Sequence, residues 1–279
     1  MARQHAIHYV SPGYMPEIRM LQTNRPWAWL KAGWHDLSRH PVVAVGYGLL
    51  IALAYAVVVG LSLGAGLFDI ALNLTAAFVL IAPLVAIGFY TVSQRIEQGA
   101  PIRFADVFRA WRINPKGTLG MGTILVLLFL SWFMVAMALA AFLAESRAEV
   151  LAAAEGMFTL SPAAVTDLSV PFTLAYLLSG LVAALVVFAF AAFSMPALME
   201  HEEMDPITAL VASWKAVIAN WRPMLLWAVL IAVITGIGLA VAYIGLAVTM
   251  PLLGFATWHA YRETLGEWRE VEVRQAQYY

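Results

Sequence analysis

Four stretches of this chain, Val42 to Leu63, Ile70 to Gln94, Gly117 to Ala144 and Phe172 to Met199, contain no Asp, Glu, Lys or Arg, and a fifth runs from Met224 to Tyr261. A helix rises 1.5 Å per residue, so about 20 apolar residues cross a hydrocarbon core of about 30 Å. Val42 to Leu63 alone carries a dozen Val, Leu or Ile residues. At about −0.4 kcal/mol each they favour insertion by around −5 kcal/mol, whereas one central Arg would cost about 3 kcal/mol. Five such stretches exclude a water-soluble fold. Composition agrees: 62% of residues are hydrophobic and 12% charged, with a mean hydropathy of +0.80.

The fifth stretch holds 38 residues. As one helix it would be about 57 Å long, so the sequence predicts a hairpin turning between Gly236 and Gly245. That makes six spans: 42–63, 70–94, 118–144, 172–199 and two in 224–261. Charge placement supports the count. Fifteen of the sixteen Lys and Arg residues fall on one side of the six spans, and Arg147 alone on the other. By the positive-inside rule both termini are cytoplasmic. Nine of ten Trp residues lie on or near that side, with Trp132 mid-span. Residues 1–24 hold no apolar run of signal-peptide type, so the first span is expected to direct insertion.

Each outward span follows a segment with helical periodicity. Trp27, Leu30, Trp34 and Leu37 form one stripe, with Lys31, His35 and Arg39 opposite. Phe104, Val107, Phe108 and Trp111 form the second, opposite Arg103, Asp106, Arg109 and Arg112. The third comprises Ile207, Leu210, Val211, Trp214, Val217 and Ile218. Superposing Trp34, Trp111 and Trp214 brings a small residue before each (Gly33, Ala110, Ser213) and His35, Arg112 or Lys215 after it. A proline follows at a variable distance (Pro41, Pro115, Pro223), and each returning span carries Pro83, Pro196 or Pro251. The predicted fold is therefore all-α and polytopic: six transmembrane helices and three cytoplasmic amphipathic interfacial helices, in three parallel pseudo-repeats of about 27–97, 104–200 and 207–263. Residues 1–26 and 264–279 read as cytoplasmic tails, the first irregular.

The chain from 17 to 265 resembles the bacterial inner-membrane proteins grouped as domain of unknown function 2189. The resemblance is carried by FVLIAPLVAIGFYTVSQRIEQG (78–99), NWRPMLLWAVLIAV (220–233) and MPLLGFATWHAYRE (250–263), with Pro251, Gly254, Trp258, His259, Tyr261 and Arg262 as its most specific part. It implies six helices and a bacterial inner membrane. The family has no established activity, so the resemblance transfers no functional residue.

Few residues suggest chemistry. No Asp, Glu, Lys or Arg lies in a predicted span, which disfavours ion-coupled transport. His259, one turn inside the cytoplasmic boundary, reads as an interfacial hydrogen-bonding group rather than a ligand or proton acceptor. His201 and Asp205 are four apart and would share a helix face, but the spacing is not that of zinc hydrolases, and acidic charge before Ile207 suits a helix start. No metal, cofactor or nucleic acid is expected. Zero cysteines exclude disulfides and thiolate sites. Gly60 and Gly64 have small-xxx-small spacing at a span end, and Gly117, Gly120 and Gly122 suit a helix-packing face.

The residues expected at the membrane interface, facing anionic lipid, fall into four groups. They are Trp27, Lys31, Trp34 and Arg39; Arg109, Trp111, Arg112 and Lys116; Trp214, Lys215, Trp221 and Arg222; and Trp258 with Arg262. The function expected is a non-enzymatic accessory or scaffold protein that binds membrane lipids and a membrane-protein partner or a second copy of itself. The alternative is a transporter or channel for a neutral or amphipathic solute, with Pro83, Pro196 and Pro251 as bending points.

Overall fold

The computed structural model describes residues 14–65, 82–143, 170–241 and 244–270. The chain opens with a strand, β1 (Tyr14–Ile18), then α1 (Arg25–Arg39) and α2 (Pro41–Gly64). After the undescribed 66–81 come α3 (Ile87–Glu97) and α4 (Asp106–Arg109), which tightens into a 3-10 turn at Ala110–Arg112. Helix α5 is Pro115–Leu143, and beyond 144–169 lies α6 (Val170–Ala191). Then follow α7 (Ser194–Glu200), α8 (Pro206–Ala219), α9 (Trp221–Ala240), α10 (Leu246–Thr264) and β2 (Leu265–Glu270). Helices α2, α5 and α8 each start on a proline, whose missing N–H costs nothing at a first turn.

Among the described residues four segments are long and apolar enough to cross a membrane: Pro41–Ser62, Pro115–Ala136, Leu177–Glu200 and Trp221–Ala240. They match the first, third, fourth and fifth spans of the sequence. Only 17% of the Pro115–Ala136 window is buried within the protein, so its remaining apolar surface requires lipid. Residues 70–81 of the second span, 70–94, are undescribed, as are Glu145 to Glu155, Arg147 and the loop up to residue 169. The 38-residue stretch does break near its middle, between α9 and α10. Helix α10 is not among the four. Trp258, His259, Arg262 and Glu263 lower its hydropathy, and it is enclosed by protein, with α1, α2, α3, α7 and α9 packed around it.

Close approach at α10 is made with glycines. A Cβ on Gly33 of α1 would lie 2.7 Å from the Ala256 nitrogen, and one on Gly48 of α2 would lie 2.4 Å from the Ala247 carbonyl. Prolines act unequally. Ahead of Pro196 the helix breaks at Ala192 and Phe193, as expected where the ring would strike the carbonyl four residues back. Ser213 of α8 repairs the break, accepting the Phe193 N–H at 3.1 Å and donating to the Ala189 carbonyl at 2.8 Å. Near Pro83 the helix is interrupted at Ala86, whereas Pro251 sits inside a continuous α10.

The face of α1 turned inward is Trp29, Gly33, Asp36 and Leu37, with Gly33 setting the contact line against α10, while Trp27 and Trp34 are 58% and 54% exposed. Helix α8 likewise buries Ala209, Ala212, Ser213, Ala216 and Val217 and exposes Ile207, Trp214 and Ile218. Residues 104–111 are not one amphipathic helix: α4 is four residues long and Asn114 starts a new helix, accepting the Gly117 N–H at 2.8 Å. The tails are not irregular throughout. Tyr14–Ile18 pairs antiparallel with Leu265–Glu270, joining the two ends of the chain. In α2 a Cβ on Gly60 or Gly64 would meet nothing within 4 Å, so that motif packs no helix within the described residues. The glycines of α5 do pack: Gly120 lies against Pro206 and Gly122 against Leu84.

Candidate functional site

The C-terminal ends of four helices bring one carboxylate each to the last two turns of α10. Asp36 is near the end of α1, Glu97 and Glu200 are the last residues of α3 and α7, and Glu263 belongs to α10 itself. An acid in the last turn opposes the helix dipole, so each gains from a nearby donor. All four have one. Asp36 accepts from Ser93 at 2.6 Å and pairs with His259 Nε2 at 2.8 Å. Glu97 accepts the Trp258 indole N–H at 3.1 Å and meets Arg262 at 3.2 Å. Glu200 takes Arg262 at 2.8 Å and the Tyr261 hydroxyl at 2.5 Å. Glu263 accepts from Trp29 at 2.6 Å and forms an ion pair with Arg25 at 2.5 Å.

Arg262 therefore bridges α3 and α7 from α10, and its guanidinium lies over the Trp258 ring at 6.0 Å. Below this polar layer the three helices are apolar and tightly filled. Gly88-Phe89 at the start of α3, Ala192-Phe193 just ahead of α7 and Gly254-Phe255 in the middle of α10 each put a small residue and then a fully buried Phe there. The Phe89 and Phe255 rings meet edge to face at 5.8 Å.

The hydrogen-bond order in this cluster is not that of an acyl-transfer triad. Ser93 donates to Asp36 and not to His259, so the carboxylate stands between hydroxyl and imidazole. An acyl-transfer site needs the nucleophile bonded to the base, which is a different order. His201 lies beside Glu200, with Nε2 at 3.7 Å. Burial pushes its pKa down, against the pull of Glu200, and nearby Arg262 adds to the lowering. Asp205 does not join it. Residues 201–205 form a turn rather than a shared helix face, and the Asp205 carboxylate caps α8 by accepting the Ile207 and Thr208 N–H groups at 3.0 and 2.9 Å. Among the described residues no group of three or more His, Asp or Glu is placed to hold a metal ion.

Of the residues picked out in the sequence, the structure gathers Trp258, His259, Arg262 and His201 here. Trp258 is fully buried, so it is a core ring and not a surface one. The others stay apart on outward faces: Trp27, Lys31, Trp34 and Arg39 on α1, Arg109, Trp111, Arg112 and Lys116 around α4, and Trp214, Lys215, Trp221 and Arg222 at α8 and the start of α9 are all exposed. Sequence reasoning missed Asp36, Glu97, Glu200 and Glu263. A signal existed for three of them, since Glu97, Glu200 and Glu263 follow the small-Phe pairs by eight, seven and eight residues.

The apolar helices define the class: this is an integral membrane protein. Residues 70–200 match the family described as "Predicted integral membrane protein (DUF2189)", the family the sequence resembles. The match is narrower than the 17–265 of that resemblance, and 220–233 and 250–263 lie beyond it. No curated protein and no solved structure matches the chain.

Proposed function

We propose that the protein is a non-enzymatic scaffold of the bacterial inner membrane, with six spans, cytoplasmic termini and three parallel units closed into a ring. What carries this reading is the packing order. Helix α4 of the second unit lies on α3 of the first, α8 of the third lies on α6 and α7 of the second, and α1 of the first lies on α10 of the third. The ring then closes through contacts rather than chain: the β1–β2 ribbon, Arg25 and Trp29 on Glu263, and Asn220, which donates to the Arg19 carbonyl at 3.0 Å and accepts the Leu21 N–H at 2.8 Å. Such a body offers rigid outer faces to lipids and to a membrane-protein partner or a second copy, with no role for nucleic acid. A transporter for a neutral or amphipathic solute is less well supported, because Phe89, Phe193, Phe255, Trp258 and Tyr261, all fully buried, fill the junction of α3, α7 and α10. The expected outcome of mild solubilisation from native membranes is co-purification with a partner protein or as a homo-oligomer. Repeated recovery as a lone monomer, with the chain still folded, would overturn the scaffold.

A further inference from the structure

We infer that the outward faces of the three cytoplasmic surface segments seat the phosphodiester headgroups of anionic lipids, because folding has sorted their charges by sign. The inference rests on the reading of these segments as interfacial. In sequence, α1 and the segment around α4 carry mixed charge. In the structure each turns its one acid inward. The Asp36 side chain, 5% exposed, is held by Ser93 and His259. The Asp106 side chain, 9% exposed, lies 3.3 Å from Arg95 and accepts the Arg103 N–H at 2.8 Å. Between Pro206 and Ala219, α8 has no acid at all. What remains outside is cationic: Lys31, Arg109, Arg112, Lys215 and Arg222.

Exposed indoles accompany these cations on every segment, as Trp34, Trp111 and Trp214. The segments end where apolar helices begin, at Pro41, Pro115 and Trp221, so the rings and cations stand at the level of the lipid headgroups. At that level an indole takes the interfacial position and a guanidinium or ammonium finds a phosphate; Arg222 also stacks over the exposed Trp221 ring at 5.1 Å. A soluble acidic protein or a nucleic acid would be served by the charge but not by apolar rings placed at span ends. Exposed acids of the 201–205 turn, Glu202, Glu203 and Asp205, interrupt the belt between the second and third faces.

The test uses the full chain reconstituted in phosphatidylcholine vesicles containing a minor fraction of brominated phosphatidylglycerol or, in parallel, of brominated phosphatidylcholine, with quenching of Trp emission as the readout. Buried Trp29, Trp227 and Trp258 supply a constant background. The expected result is stronger quenching by the anionic lipid, reflecting local enrichment of about fivefold per engaged cation. The excess should fall in concentrated salt and in the variant K31Q/R109Q/R112Q/K215Q/R222Q, whose changes are all at exposed positions. Equal quenching by the two lipids would overturn headgroup recognition while leaving the interfacial reading intact. An excess unchanged by salt and by the variant would also overturn it. Failure of both lipids to quench would remove the interfacial reading itself.

Discussion

At the scale of single residues, the most legible contribution is that of Asp205. Its carboxyl is held below the ordinary aspartate value: burial works the other way, but the Thr208 side chain and the Thr208 and Ile207 N–H groups outweigh it. The stabilisation from a depressed carboxyl is present above the unfolded value and is lost as pH falls through the folded one. Asp205→Ala is expected to cost about 1 kcal/mol, while Asp205→Asn keeps the cap and removes its acid sensitivity. Thermal melts of the purified protein across an acidic pH series check both, and a melting curve for Asp205→Ala that overlays the parent would sink the assignment. This cap was readable in sequence, since Asp-Pro ahead of an apolar run marks a helix start. The role of Asp36 was not. Its two partners, Ser93 and His259, lie 57 and 223 residues away, and no local spacing reports such a pairing.

At the scale of elements, the outcome turned on which face of each helix is inside. Periodicity marked α1 and α8 as helical and put their large apolar rings at the membrane interface, but it did not say which residues meet other helices. The structure turns small residues inward, Gly33 on α1 and Ala209, Ala212, Ser213 and Ala216 on α8, and leaves Trp34 and Trp214 outside. The reason is the solvent. Near a bilayer a large apolar ring loses little by facing outward, while close helix contact gains from small residues. The join between α1, α3 and α10 then depends on Asp36. Asp36→Ala would leave His259 and the buried Ser93 without their acceptor and is expected to destabilise the protein by about 1–3 kcal/mol. Asp36→Asn, which keeps an acceptor for Ser93, should cost less. Circular dichroism melts in detergent measure the difference; equal stability of Asp36→Ala and the parent would mean that this contact does not hold the helices together.

At the scale of the whole molecule, orientation and span number are the predictions to check. The chain has no cysteine, so single cysteines can be introduced on a clean background. With both termini cytoplasmic, Arg147→Cys should react with a membrane-impermeant maleimide in intact cells, and Lys215→Cys should react only after the inner membrane is opened. The reverse pattern would invert the topology, and labelling of both sites from outside would break the six-span count. Insertion is a sum of local transfer energies along the chain; for that reason the sequence by itself determined the membrane class, four of its apolar helices and the break between α9 and α10. Tertiary structure alone decided that α10 is enclosed by other helices, that four carboxylates from separate helices meet on it, and that the acids of the surface segments point inward. Those outcomes depend on how closely helices approach and on pairings between residues far apart in the chain, and a buried carboxylate takes its partner from whichever helix packing brings within reach.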